Sequence, residues 1–172
     1  MDDLCAKTED NTYKNKDLTA GLFIGCCMHK VCYGFHLMLE PERRKDVMKV
    51  LYERIPQEVL DGMTILFDFA CQAGVYCTRR EPTMFAQTKF LVDRFHGMTH
   101  KCSEFWKLGN YPGFAQMQST ASERFNAFLA PFNVMCAYMK QETYVKFLGF
   151  IIGVKNWLTN NKLEETMNKI EQ

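Results

Sequence analysis

The sequence predicts an α/β protein built on a mixed sheet. Three observations carry this. Two short apolar runs rich in large side chains, MTILFDFA (63–70) and KFLVDRFH (89–96), have the composition of strands buried on both faces. The segment between them, CQAGVYCTRREPTMFAQT, is long enough for a crossover helix, which implies a parallel pair. Ahead of them, GLFIGCCMHKVCYGFHLML (21–39) reads as two apolar runs around a CCMHK centre, the pattern of a β-hairpin.

The elements follow in chain order. Residues 1–17 are almost all polar and are expected to form a disordered leader with none of the character of a signal peptide. The hairpin is expected over Leu22–Cys27 and Val31–Leu39, with its turn at Met28–Lys30. In EPERRKDVMKVLYERIP the apolar residues Val47, Val50, Leu51 and Ile55 repeat at helical spacing, with Pro41 near the start and Pro56 at the end. Gly74 and Pro82 weaken the crossover helix that follows the first buried strand. Beyond the Gly/Pro-containing loop KLGNYPGF, the stretch STASERFNAFLAPFNVMCAYM predicts a helix interrupted at Pro131, and the C-terminal residues predict one or two more helices.

Composition excludes several function classes. At 172 residues the chain fits one domain with a real core, and 47% hydrophobic against 24% charged residues argues against wholesale disorder. The net charge of +1 gives no global attraction to nucleic acid, so any such binding needs a local patch. Arg79, Arg80, Lys89, Arg94 and Lys101 are the basic residues near the candidate site, and a solvated face is the plainer reading of them. The longest apolar run, FLGFIIGV, is too short to span a membrane. With no secretory route in view, the eight cysteines read as thiols or metal ligands rather than a disulfide framework.

Chemistry concentrates in three places. Asp68 is the single charge in an apolar strand, costly to bury unless paired or bound to metal. It either caps the turn after the strand or sits where open α/β sheets place their ligands, at strand carboxyl ends. Glu123 falls in the first turn of a helix, where the macrodipole alone favours a carboxylate. Together, a strand-end Asp and a helical Glu are also the residue types that hold paired Mg²⁺ ions. The third place is VDRFHGMTHKC (92–102), in which His96, His100 and Cys102 form H-x3-H-x-C.

If the two strands are parallel neighbours, Cys71 approaches His96, and Cys71, His96, His100 and Cys102 make a closed Zn²⁺ site. The open alternative is two polar loop histidines and two buried thiols. Pairing Cys71 with His96 as a nucleophile and base lacks any sign of an oxyanion hole. Cys26, Cys27, His29, Cys32 and His36 lie on alternating faces of the hairpin and cannot all converge, so a packed hairpin with incidental cysteines is expected there.

FDFACQ (67–72), FLVDRFHGMTHKCS (90–103) and SERFNAFL (122–129), in that order, resemble motifs of the Kyakuja-Dileera-Zisupton (KDZ) transposases, over roughly residues 20–150. The family pattern is a YD-x-ACQ strand, an FH-x3-H-x-C segment and a later helical glutamate. CMHKVCYGFHLM also resembles the family's C-x-HG-x-x-YG-x-H element, with Lys30 where a glycine is more typical.

The resemblance implies a ribonuclease-H-like fold over residues 18–172 and DDE-type DNA cutting and strand-transfer ancestry. Asp68 and Glu123 would then match catalytic carboxylates that use Mg²⁺ or Mn²⁺. It implies that Cys71, His96, His100 and Cys102 match a shared zinc-binding set, which leaves Asp93 the less interesting carboxylate. DNA as partner, a nuclear location and compatibility with a homo-oligomer come with it, and no membrane. The family's first catalytic aspartate lies on a strand upstream of the hairpin, and here only the polar leader occupies that place. The first strand is therefore expected to be missing, making the chain a truncated or domesticated remnant without activity of its own. The alternatives are a zinc-stabilised, non-catalytic DNA- or protein-binding module, and a stand-alone metal-dependent nuclease with an unrecognised ligand.

Overall fold

Val47, Val50, Leu51 and Ile55, the four apolar positions of the first helical pattern, are all buried. The computed structural model, which describes residues 21–114, 117 and 119–170, makes this helix α1, Arg44–Arg54. Asp46 folds back at its start, and its Oδ2 accepts the Arg43 backbone N–H at 2.7 Å, satisfying an amide that the helix itself leaves open. Pro56 cannot continue the ladder and precedes a short helix, α2, Gln57–Leu60. The polar leader lies outside the described residues.

The hairpin forms as β1, Gly21–Cys26, and β2, Cys32–Met38. The parallel pair forms as β3, Thr64–Leu66, and β4, Lys89–Leu91, with Thr64, Ile65 and Leu66 opposite Lys89, Phe90 and Leu91. Helix α3, Ala70–Arg80, lies in the crossover and packs against both α1 and β4. On its other flank β4 continues into Val92, which bridges Lys107 in parallel. The core of this region joins Val47, Leu51, Ile55, Leu60, Ala73, Cys77, Phe85, Phe90 and Val92.

Gly74 explains how α3 approaches so closely. A Cβ there would stand 2.8 Å from the Trp106 ring and 2.9 Å from Phe90 Cβ. The residue that weakens the helix on propensity is the one that lets it pack.

Three expectations need correction. The hairpin and the parallel pair are separate two-stranded sheets among the described residues, not one mixed sheet. The first buried strand stops at Leu66, because Phe67–Phe69 turn into α3. The second stops at Leu91, and RFH, expected as the end of that strand, opens helix α4, Arg94–Thr99. Asp93 causes this. Its Oδ1 accepts the backbone N–H groups of Phe95 at 2.8 Å and His96 at 3.1 Å, an N-cap that overrides the apolar run.

The chain gathers into two compact units. Among the described residues, one takes Gly21–Ile24 and those of Gly34–Ser119; the other takes the hairpin tip, Gly25–Tyr33, and Thr120–Ile170. In the second unit, α5, Ala121–Leu129, ends in a 3₁₀ turn at Ala130–Phe132 that contains Pro131. Helices α6, Asn133–Cys136, and α7, Gln141–Ile170, follow. Phe125, Leu129, Leu148 and Ile152 are its buried residues from α5 and α7.

Candidate metal centre

The site grows from the strand register. Leu66 and Leu91 are the last paired residues of β3 and β4, and Asp68 and Asp93 each stand two residues beyond them. Both carboxylates therefore emerge at the carboxyl ends of adjacent parallel strands, where loops are free to build sites. Asp93 is 6% exposed, whereas the Asp68 side chain is 40% exposed. His96, one turn into α4, meets both: its Nδ1 lies 2.5 Å from Asp93 Oδ2 and 3.3 Å from Asp68 Oδ1.

Helix α3 and the segment that follows α4 supply the sulfur ligands. Cys71 is buried in the first turn of α3, and His100 and Cys102 follow α4. His100 Nδ1 lies 3.8 Å from Cys71 Sγ and 3.9 Å from Cys102 Sγ. The Phe69 ring packs edge-on against His100 at 5.5 Å. Burial, aided by the neighbouring His96, lowers the pKa of His100, against the opposing pull of Asp68 and Asp93. A neutral imidazole is the form that binds metal.

Two groups of possible ligands thus stand side by side: Cys71, His100 and Cys102, and Asp68, Asp93 and His96, each with its ligand atoms within 4.8 Å of one another. The four residues taken as one zinc set divide three to one, with His96 beside the carboxylates. The donor chemistry of the first group fits a soft or borderline cation. Zinc bonds of about 2.3 Å to sulfur and 2.0 Å to nitrogen place S and N about 3.5 Å apart at a tetrahedral centre. The observed separations of 3.8 and 3.9 Å need only small side-chain movements to reach it.

Glu123 lies in the other unit, exposed in the first turn of α5. Arg79, Arg80, Lys89, Arg94 and Lys101 are all exposed. Arg94 donates to the Phe114 carbonyl at 3.1 Å, and Lys89 Nζ lies 4.9 Å from the centre of the Tyr111 ring. Asp93 is the residue that sequence reasoning undervalued. The signal was present as D-x-x-H after an apolar strand, in which an N-cap and a histidine share one helical turn.

The model of the Kyakuja-Dileera-Zisupton transposase family matches residues 4–156. The chain belongs to the KDZ transposases. The matched span includes every residue of both ligand groups, and Glu123 as well. Neither a search of curated proteins nor one of solved structures returned a match to this KDZ chain. No helix among its described residues is long and apolar enough to cross a membrane.

Proposed function

We propose that this chain is a transposon-derived, DDE-type transposase domain of ribonuclease-H-like ancestry that binds DNA, is braced by one structural zinc, and does not cut DNA by itself. The observation that carries the reading is the pair of ligand groups at the carboxyl ends of β3 and β4. In it Cys71, His100 and Cys102 hold the zinc. His96 stands with the carboxylates and would become the fourth ligand by a side-chain movement toward this group: with Nδ1 turned to the carboxylates, its bond to the metal would go through Nε2. Asp93 is then a positioning residue, orienting the imidazole as carboxylates commonly do behind zinc-bound histidines. The zinc supplies cross-linking of α3 to the segment after α4 and no chemistry.

Asp68 is the catalytic-type carboxylate in this reading, exposed at its strand end, and Glu123 is its helical counterpart. Mg²⁺ or Mn²⁺ would be the cation they serve. Among the described residues, the group joining Asp68 to other possible ligands contains one further carboxylate, Asp93, and both of its oxygens are engaged by the α4 cap and His96. A two-metal centre needs more oxygen ligands than that. A nuclear location follows from DNA as the partner.

Metal analysis and a nicking assay test the proposal together. The purified chain should carry one zinc per molecule, lost in Cys102→Ala, and should leave supercoiled DNA intact in Mn²⁺. Robust cleavage abolished by Asp68→Ala would overturn the inactive reading. A stable, metal-free wild-type chain would overturn the zinc brace. The non-catalytic binding module is separated by Asp68→Asn: unchanged DNA affinity favours it, whereas altered affinity ties Asp68 to the DNA site.

A further inference from the structure

The hairpin cysteines, expected to be incidental, are paired by the turn. The Cys27 carbonyl accepts the Lys30 N–H and the Cys27 N–H donates to the Val31 carbonyl, both at 2.9 Å. This is a three-residue loop, Met28–Lys30, closed by the pair Cys27 and Val31. The next pair outward is Cys26 with Cys32, and its register is fixed by a second observation. Both backbone groups of Cys32 point away from β1: its N–H donates to Asn156 Oδ1 at 2.8 Å, and its carbonyl accepts from Asn156 Nδ2 at 2.8 Å.

Cys26 and Cys32 are therefore a non-hydrogen-bonded cross-strand pair, the kind in which side chains stand closest. The Cα separation typical of such a pair, about 4.5 Å, falls inside the range that a disulfide spans. The neighbouring Cys32 thiol, together with burial, raises the Cys26 pKa. Cys27 lies on the opposite face, with Tyr33 as its neighbour. All described cysteines are present as thiols.

We propose that Cys26 and Cys32 form a site of reversible disulfide formation that locks the hairpin tip in the register in which Cys32 meets Asn156. The co-reactant is a small-molecule disulfide of the glutathione class. One cysteine thiolate attacks it, forming a mixed disulfide and releasing one thiol. The second cysteine then displaces the other half, so two S–H bonds are lost, one S–S bond forms, and the oxidant leaves as two thiols. A bridge across so short a pair sits near the lower limit of disulfide geometry, which favours an exchangeable bond over a permanent one.

The test uses the full chain with its metal retained, equilibrated across a series of oxidised and reduced glutathione ratios. Alkylation, unfolding and trypsin digestion follow, and cleavage after Lys30 separates Cys26 from Cys32. The expected result is a cross-linked peptide pair, Asp17–Lys30 joined to Val31–Arg43, that exceeds half of the chain under oxidised glutathione and disappears on reduction. It should persist in Cys27→Ala and vanish in Cys26→Ser. Separate alkylated peptides at every ratio, with native circular dichroism, would overturn the proposal. So would a cross-link that requires Cys27.

Discussion

Asp68 and Asp93 occupy equivalent positions two residues beyond the last paired residues of β3 and β4, and both carboxylates converge on Nδ1 of His96. The relationship ties two roles to one imidazole. Asp93 is buried and committed to the cap of α4, while Asp68 is the exposed partner. His96 thus connects the carboxylates to the helix that leads into His100 and Cys102.

Asp93→Asn separates these roles. Asparagine caps a helix about as well as aspartate, so α4 should keep its start and the fold should change little. The negative charge behind His96 is lost, however, and zinc affinity is expected to fall about 10–100-fold. Competition with a chromophoric chelator measures this. Unchanged affinity would mean that His96 does not ligate the metal.

Some of this was legible in the residues and some was not. The apolar spacing located the buried apolar positions of α1, Val47, Val50 and Leu51, with Ile55 just beyond its end, and the pairing of β3 with β4 followed from two buried strands around a crossover. The ends of those strands were not legible, because ILFDFA and LVDRFH keep their apolar character past the last ladder bond. What stops them is local: Asp93 captures two backbone amides, and Phe67–Phe69 turn into α3. The three-to-one division of the ligands has the same cause. With 94–96 taken as strand, His96 belonged with Cys71; coiled into α4, it turns back toward Asp68 and Asp93.

Gly74→Ala is expected to destabilise the first unit despite the better helix propensity of alanine. The new methyl would meet Phe90 Cβ at 2.9 Å and the Trp106 ring at 2.8 Å. The Phe90 contact belongs to β4 at its root and cannot swing aside as a flexible side-chain end can. Overpacking of this kind costs about 1–3 kcal/mol, read as a lower urea midpoint.

Lys30→Gly should act in the opposite direction. Lys30 closes the hairpin turn with φ at +67°, in the left-handed region, where a β-carbon is unfavourable and glycine is at ease. Relief of that strain, partly offset by the greater freedom of glycine in the unfolded chain, should stabilise the hairpin by up to about 1 kcal/mol. The gain should appear as slower amide exchange at Cys27 and Lys30, whose N–H groups close the turn.

Cys77 provides a pH-dependent check on the core. It is completely buried in α3, and burial pushes its thiol up to about 12 from an ordinary value of 9.0. The folded chain therefore holds this proton more tightly than the unfolded chain does. The associated stability is fully present below pH 9 and is lost as the pH rises through 12, so alkaline unfolding should steepen across that window. In the native protein at pH 8 a thiol reagent should leave Cys77 unmodified while it labels the more exposed Cys136, and urea should abolish the difference. Labelling of native Cys77 at the rate of Cys136 would show that α3 does not seal against the core as described.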